Sequence, residues 1–353
     1  MIITGFYILF IKINQRVGII MLFFSLLVGF VISLLATYVL IKSANKINAL
    51  DYPTHRGMNK APIPTMGGIA IYLALLVVLW LNDFLIDYPA VIISMTILVL
   101  LGIIDDFYQL SAIKKLIGQF LCCLIPLLAG EINLNLRTVF FRNYKFILFS
   151  IILLGLIYLI NSINFIDGVD GLAGGVGIII ALAIACLAYL NGQSFALLLS
   201  LALIAGVAGF IPYNYNPAQI FMGDTGSMLI GFVLGIAAIK AVAEFSLLKL
   251  ILLAVLFLIP FLDTAIVMLK RKLAGQSIFT ADKKHLHHCL LDLGYSQKKV
   301  VYIICLASIL LVLFALAFKF ANSKQFLFLL SSLIFYIISF IITINNKKKQ
   351  IKN

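Results

Sequence analysis

The sequence PAVIISMTILVLLGIIDD, residues 89–106, shows the pattern that decides the fold of this chain. An uncharged apolar run ends directly on two adjacent carboxylates, Asp105 and Asp106. Similar runs recur along the chain, and several approach or exceed the ~20 residues that an α-helix needs to cross a bilayer. The runs are continuous and do not alternate with polar residues, which excludes a β-barrel. The pattern predicts an all-α polytopic membrane protein.

The overall composition indicates the same class. The chain is 63% hydrophobic and only 11% charged, with a mean hydropathy of +1.17, whereas soluble domains carry roughly 25% charged residues. No polar stretch is long enough for a separate soluble domain, so we expect residues 1–353 to form a single integral membrane domain. The five cysteines lie mostly inside apolar runs without metal-ligand spacing, and we interpret them as packing residues.

The apolar runs predict about eleven transmembrane helices, with ten as the alternative. Alternating the connections puts 17 of the 26 lysines and arginines on one side of the membrane and 9 on the other. The positive-inside rule assigns the richer side to the cytoplasm. We therefore interpret the net charge of +13 as a topology signal and as contact with anionic lipid heads, not as a nucleic-acid footprint. The predicted spans are centred on residues 17–41, 66–81, 89–104, 116–130, 146–162, 172–190, 195–212, 227–242, 247–268, 299–318 and 325–344.

The same alternation puts the conspicuous polar motifs on the cytoplasmic side. Of thirteen Asp and Glu residues, five lie in three short motifs, and all four histidines lie in two polar loops. Ionisable groups beside hydrocarbon are costly, so they are functional candidates by default. The five acidic residues are Asp105, Asp106, Asp167, Asp170 and Asp224.

Asp105 and Asp106 sit where a predicted helix meets the cytoplasm. Adjacent helical residues point about 100° apart. One carboxylate can therefore face a cavity while the other meets a neighbouring helix or a cation. Lys115, on the following helix, is placed to offset the pair, and a solvated helix end is the alternative reading.

The segment from Asn161 to Gly175 carries polar groups at a spacing of three: Asn161, Asn164, Asp167 and Asp170. A continuous helix would put them on one face, but Gly168 and Gly171 predict a turn. Glycines beside carboxylates let a backbone approach a diphosphate closely. We favour a functional segment over a simple polar connection.

Asp224 lies in Phe-Met-Gly-Asp-Thr-Gly-Ser, residues 221–227, at the start of a predicted span. It can cap that helix together with Thr225 and Ser227, or hold a metal–phosphate pair at the helix N-terminus. Hard oxygen ligands from several loops favour Mg²⁺ or Mn²⁺ over zinc. Lys283 and Lys284 precede His285, His287 and His288 and suit an anion, so we assign these histidines to phosphate contact and not to metal ligation.

Taken together, the motifs resemble the polyprenyl-phosphate N-acetylhexosamine-1-phosphate transferase family. The resemblance runs in order from about residue 51 to 294. It includes Asp51-Tyr-Pro with Pro64-Thr-Met-Gly-Gly68, the Asp105-Asp106 pair, 161–175, 221–227, Pro260-Phe-Leu-Asp263-Thr264, and Asp282-Lys-Lys-His-Leu-His-His288. The His-Leu-His-His form is similar to the branch that initiates O-antigen, enterobacterial common antigen or teichoic acid synthesis. Pro-Thr-Met-Gly-Gly, preceded by Lys60, is similar to the peptidoglycan branch.

The resemblance implies a reaction in the bacterial inner membrane with the active site facing the cytoplasm. UDP-N-acetylhexosamine, with GlcNAc as the expected sugar, and undecaprenyl phosphate would give the lipid diphospho-sugar and UMP. The resemblance implies Mg²⁺ on Asp224 and Asp105, catalytic roles for Asp105, Asp106, Asp167 and Asp170, and substrate binding by Lys60, Asn164, His285, His287 and His288. A homodimer and a monomer both remain open.

Three alternatives to this reading remain. The chain could be the phospho-N-acetylmuramoyl-pentapeptide transferase of peptidoglycan synthesis. A secondary transporter would also hold charges in the membrane, but transporters carry them near the middle of their spans. In this chain the charges lie at the ends of the predicted spans. The third alternative, a catalytically silent scaffold, does not explain the intact acidic motifs.

Overall fold

The computed structural model describes residues 18–52, 61–132, 145–242, 247–277 and 285–320, together with 325, 331 and 332. This part of the chain is almost entirely helical, which confirms the predicted all-α class. One short antiparallel hairpin pairs β1 with β2, with Leu50 opposite Pro64. The elements, in order, are α1 (Ile19–Ile47), β1 (Leu50–Asp51), β2 (Ile63–Pro64), α2 (Gly68–Leu81), α3 (Phe84–Asp87), α4 (Pro89–Tyr108), α5 (Ala112–Leu128), α6 (Lys145–Ile166), α7 (Leu172–Leu190), α8 (Ser194–Asn214), α9 (Gly223–Ala241), α10 (Leu247–Leu256), α11 (Leu258–Leu273), α12 (Leu286–Asp292) and α13 (Gln297–Phe320).

Seven of the described helices are long and apolar enough to cross a bilayer, and α10 with α11 makes an eighth span if the bent pair is counted as one. The apolar α2 has 14 residues and α5 has 17. Each of the first ten predicted spans coincides with a helix or with this bent pair. The eleventh, at 325–344, lies almost wholly outside the described residues. The seven long helices are α1, α4, α6, α7, α8, α9 and α13.

The span predicted at 247–268 is broken in the structure: α10 and α11 meet at 76° on either side of Phe257. Pro260 supplies the physical reason, because it has no N–H to donate and its ring would clash with the carbonyl of Leu256 in a continuous helix. Pro260 is tolerated in the first turn of α11, where no intrahelical donor is needed.

Helix α9 lies at the centre of the bundle, and nearly every residue in it is buried. It packs against α2, α4, α6, α7 and α8. The backbones of α9 and α2 are in direct contact, because a Cβ on Gly68 would overlap the backbone of Gly226. Close approach of this kind is what small residues provide in membrane helices.

Backbone hydrogen bonds join the segment before α2 to the segment before α9. Phe221 N donates to Pro64 O at 2.8 Å, and Gly67 N donates back to Phe221 O at 3.0 Å. Gly68 N also donates to Met222 O at 3.0 Å. Two motifs that are far apart in sequence are thereby held side by side at the start of α9.

Candidate active site

A cavity of about 810 Å³ opens at the end of the bundle where α4 ends and α9 begins. Its lining is strongly acidic, and no lysine, arginine or histidine of the described ranges contributes to it. Six aspartates line it, including all five that the motifs singled out: Asp51, Asp105, Asp106, Asp167, Asp170 and Asp224. The amides of Asn164, Asn214, Asn216 and Gln297 and the rings of Tyr52, Phe107 and Phe221 also line it.

Asp106 caps helix α9. Its Oδ1 accepts a hydrogen bond from Asp224 N at 2.8 Å, and its Oδ2 accepts bonds from Thr225 N at 3.3 Å and Thr225 Oγ1 at 2.7 Å. Gly223 makes this possible, because its φ of +72° suits glycine and a Cβ there would overlap the Asp106 carboxylate. The carboxylate at a helix N-terminus satisfies open N–H groups and the helix dipole.

Because Asp106 supplies the cap, Asp224 is free for other partners. Lys115 Nζ lies 2.7 Å from Asp224 Oδ2 and 2.7 Å from Asp105 Oδ2, so one ammonium bridges two carboxylates. Asp105 Oδ1 accepts a bond from Leu110 N at 2.7 Å, which orients this side chain. The sequence suggested that one acid of the pair faces a cavity and the other meets a neighbouring helix or a cation. In the structure both acids line the cavity, and each also has its own partner: Lys115 for Asp105 and the start of α9 for Asp106.

The turn predicted at Gly168 and Gly171 is present: α6 ends at Ile166 and α7 begins at Leu172. Asn164 and Asp167 line the cavity, and Asn164 Nδ2 donates to Ser227 Oγ on α9 at 2.9 Å. Burial, the largest cause, and the negative charges of Asp224, Asp106 and Asp170 together raise the pKa of Asp167 to about 8. A cluster of carboxylates that raise one another's pKa is typical of a site that binds a cation.

Asp170 fastens the turn to the loop that precedes α9. Its Oδ2 accepts a bond from Asn216 Nδ2 at 2.9 Å and one from Ala218 N at 3.1 Å. Asn216 also donates to Gln297 Oε1 at 2.7 Å, at the start of α13. Asp170 is therefore at once part of the cavity wall and a tie between two loops.

The three histidines lie beside the cavity without lining it. His285 and His287 are buried, and their rings stack with centroids 5.8 Å apart. His287 packs against Gly168, where a Cβ would overlap its Nε2. Burial lowers the pKa of His287 to about 4, with the charge of His288 as a smaller cause. His287 is consequently a neutral imidazole at pH 7.

Asp263 holds the histidine segment in place. Its Oδ2 lies 2.9 Å from His285 Nδ1, and its Oδ1 accepts a bond from Leu286 N at 2.6 Å. Asp282 lies closer to these histidines in the chain and is a second carboxylate that could fix an imidazole tautomer. For His285 the structure gives that contact to Asp263, which the bent helix α11 carries to this point, while Asp282 lies outside the described residues.

Two residues of the site were missing from the sequence-based candidates. Lys115 had been assigned only to charge balance, and Asp263 had entered only as part of a motif. The signal for both was a charged residue inside or next to an apolar helix. Among the predicted site residues, Lys60 lies outside the described residues.

The donor set suits a hard cation. Within the described ranges, no group of three or more His, Cys, Asp or Glu side chains is arranged to hold a metal by itself. Mg²⁺ needs only one or two carboxylates when water and substrate phosphates complete its octahedron. Asp224 and Asp105 can supply those carboxylates, in a lining whose described charges are all negative.

Comparison with known proteins identifies the family. A family model described as glycosyl transferase family 4 matches residues 88–242, which contain five of the six cavity aspartates. The chain is 32% identical over 322 residues to a protein of Bacillus subtilis (strain 168) described as a probable undecaprenyl-phosphate N-acetylglucosaminyl 1-phosphate transferase, covering 88% of this chain and 90% of that protein.

Other relatives carry related names. The chain is 33% identical over 301 residues to the decaprenyl-phosphate N-acetylglucosaminephosphotransferase of Mycobacterium leprae (strain TN), covering 74% of this chain and 75% of that one. It is 24% identical over 280 residues to the undecaprenyl-phosphate alpha-N-acetylglucosaminyl 1-phosphate transferase of Escherichia coli (strain K12), covering 76% of each. The chain belongs to glycosyl transferase family 4, the polyprenyl-phosphate N-acetylhexosamine-1-phosphate transferases.

Proposed function

We propose that this protein transfers N-acetylglucosamine 1-phosphate from UDP-N-acetylglucosamine to undecaprenyl phosphate and releases UMP. The observation that carries the proposal is the acidic cavity at one end of an apolar helical bundle, with Asp105 and Asp224 bridged by Lys115. A site at the membrane boundary can receive a lipid phosphate from the bilayer and a nucleotide from water. The names of the relatives support N-acetylglucosamine as the sugar.

In the proposed reaction, an oxygen of the lipid phosphate attacks the β-phosphorus of the UDP-sugar. A new P–O bond forms, the bond from the β-phosphorus to the bridging oxygen breaks, and UMP leaves with that oxygen. Such a displacement depends on alignment and charge neutralisation more than on covalent chemistry. Asp105 would take up the remaining proton of the lipid phosphate or orient that phosphate, and we favour direct displacement over a covalent aspartyl intermediate.

A divalent cation, Mg²⁺ or Mn²⁺, would be held by Asp224 and Asp105 and would neutralise the diphosphate charge. The described lining supports this assignment, because it contains six aspartates and no lysine, arginine or histidine, so two anionic substrates need an added positive charge there. Asp167, Asp170 and Asn164 would hold the nucleotide beside the metal. Asp106 was assigned a catalytic role from sequence, but its bonds to Asp224 and Thr225 favour a role in fixing the start of α9.

The histidines and Lys60 would bind the diphosphate. His287 is neutral at pH 7 and would act as an N–H donor and not as a cation. Asp263 would keep His285 and Leu286 in register for this contact. We place the site on the cytoplasmic side of the bacterial plasma membrane, following the distribution of lysine and arginine.

Radiolabelled transfer to undecaprenyl phosphate tests the proposed function. Purified protein is assayed in parallel with UDP-GlcNAc, UDP-GalNAc and UDP-MurNAc-pentapeptide, and we expect label in the lipid fraction from UDP-GlcNAc, with UMP released in equal amount. Label from UDP-MurNAc-pentapeptide alone would assign the protein to peptidoglycan synthesis. No lipid label from any donor would remove the proposed function.

Chelation tests the metal assignment. EDTA should abolish transfer and added Mg²⁺ or Mn²⁺ should restore it, and Asp224→Asn should lose most turnover because an amide is a poorer ligand without charge. Asp83→Asn is the matched control, since Asp83 is exposed in a loop at the other end of the bundle and its φ of +62° suits asparagine. Full activity of Asp224→Asn, or full activity in EDTA, contradicts the assignment.

A further inference from the structure

Two polar side chains of the cavity region have a second polar residue about one helical turn deeper in the membrane. On α5, Lys115 is followed at i+4 by Gln119. On α6, Asn164 is preceded at i−3 by Asn161. Residues at these spacings share a helix face, so the deeper pair lies below the two residues that reach toward α9.

Gln119 and Asn161 pair with each other inside the bundle. Asn161 Nδ2 donates to Gln119 Oε1 at 2.6 Å and to Ile157 O at 2.8 Å. Gln119 Nε2 contacts Asn161 Oδ1 at 3.5 Å and Met228 Sδ on α9 at 3.3 Å. Gln119 is only 1% exposed, so its amide depends on these partners. The pair therefore ties α5, α6 and α9 together at one level.

The same three helices carry the groups that meet above this level. Lys115 reaches Asp224, the second residue of α9, and Asn164 reaches Ser227, which lies next to Met228. The backbones of α6 and α9 are also close here, because a Cβ on Gly231 would meet the backbone of Ile160. A shift of α5 or α6 along its axis would carry Lys115 or Asn164 away from its partner on α9.

We propose that the Gln119–Asn161 amide pair is a positioning element for the transfer reaction: it sets the register of α5 and α6 against α9, and so keeps Lys115 on Asp224 and Asn164 on Ser227. Neither amide lines the cavity. The inference rests on the proposed function, because it assigns these residues a role in the rate of that transfer. A purely structural pair would affect folding and leave the turnover of folded molecules unchanged.

The variant that separates the two roles is the double change Gln119→Leu with Asn161→Leu. Replacing both partners of a buried hydrogen bond by apolar groups leaves no unpaired amide and is close to neutral for stability. We expect a melting temperature near that of the wild type and a kcat at least about 10-fold lower, with KM for UDP-GlcNAc changed less than about 3-fold. The exchange Gln119→Asn with Asn161→Gln, which restores an amide pair, should recover part of the lost kcat.

Asn82→Leu is the matched control. Asn82 is a buried amide that bonds Ser25 on α1 at 2.9 Å, at the end of α2 far from the cavity. This change should lower the melting temperature and leave kcat per folded molecule unchanged.

The possible results are distinct. If the wild-type protein catalyses the transfer and the double leucine variant has the same kcat, the positioning role is overturned and the proposed function stands. Equal kcat losses in the double leucine variant and Asn82→Leu also overturn it, because the loss then follows from general weakening of the bundle. Absence of wild-type transfer from any UDP-sugar removes the proposed function, and the positioning role falls with it.

Discussion

At the scale of single residues, the charge balance of the site depends on the few cations that lie near its carboxylates. Lys115 is the described cation that reaches two of them at once, Asp105 and Asp224, each at 2.7 Å. Charge-assisted bonds of this length are strong and directional. Asp106 and Asp170 bond instead to backbone and amide groups, so aspartates of one cavity perform different tasks.

Removing the Lys115 charge should sharply reduce turnover. In Lys115→Met, Asp105 and Asp224 would face each other without the bridging ammonium. We expect kcat to fall by about 100-fold or more, as it does when other groups that stabilise charge in an active site are removed. Steady-state transfer rates on purified protein measure this. Lys114→Met is the control, because Lys114 is exposed and adjacent. Equal rates in the two variants would show that the bridge is dispensable.

Protonation of His287 should make the folded protein less stable at acidic pH. Its pKa is lowered from 6.5 to about 4 in the folded protein, chiefly by burial. His287 binds a proton near pH 6.5 in the unfolded chain and only near pH 4 in the folded chain. Stability linked to neutral His287 is therefore complete above about pH 7 and lost as the pH falls toward 4, by roughly 3 kcal/mol in total.

Melting temperatures in detergent measure this linkage. The wild type should lose more thermal stability between about pH 7 and pH 4.5 than His287→Leu does, because the variant has no imidazole to protonate. The comparison uses only the pH dependence of each protein, so a packing defect in the variant does not affect it. Parallel losses in both proteins would contradict the assignment of a buried neutral His287.

At the scale of elements, the start of α9 organises the cavity. Three separate segments converge on it: Asp106 of α4 caps it, Pro64 and Gly67 bond the segment before it, and Asn164 of α6 bonds Ser227 near its start. The broken α10–α11 span adds a fourth segment by bringing Asp263 to His285. Helix ends, more than helix bodies, therefore build the site.

Loss of the Asp106 cap should weaken both stability and chemistry. Asp106→Ala leaves the N–H groups of Asp224 and Thr225 without their acceptor, and we expect a loss of about 1–2 kcal/mol in stability, as for other N-caps, together with lower turnover because Asp224 loses its anchor. Asp106→Asn keeps one oxygen acceptor and should be destabilised less. Thermal melting and transfer rates measure both effects. An inactive Asp106→Ala that melts like the wild type would indicate direct catalysis by Asp106.

At the scale of the whole molecule, the bundle puts every acidic motif at one end. The described connections at that end include the α4–α5 and α8–α9 loops and the start of α13, while α2 and α5 finish at the other end. With the central α9 almost fully buried, the charges are confined to the boundary of the apolar region. This arrangement fits an enzyme whose lipid substrate stays in the bilayer.

Cysteine labelling should confirm this single-sided arrangement. In a background with the native cysteines replaced, cysteines at Gln109, Gln219 and Lys298 should react only with reagents that reach the cytoplasm. Cysteines at Asp83 and Gly130 should react from outside the cell. A residue of the first group labelled from outside would contradict the orientation derived from the lysine and arginine count.

The sequence alone determined the class of fold, most helix positions and the identity of the acidic motifs. A helix in a bilayer satisfies its own backbone hydrogen bonds, so an apolar run of sufficient length specifies its own structure. Polar residues at the ends of such runs are conspicuous for the same reason, which is why Asp105, Asp167 and Asp224 could be selected without coordinates. The turn at Gly168 and Gly171 was likewise readable from local chemistry.

Only the tertiary structure decided what each carboxylate does. The bond from Lys115 to Asp224 joins residues 109 apart, and the cap from Asp106 to the Asp224 N–H joins residues 118 apart. No local pattern distinguishes Asp105, which meets a cation, from Asp106, which caps a helix. That difference arises from how α4, α5 and α9 pack, because a hydrogen bond requires two atoms to lie within about 3 Å of each other, and residue spacing along the chain does not contain this information.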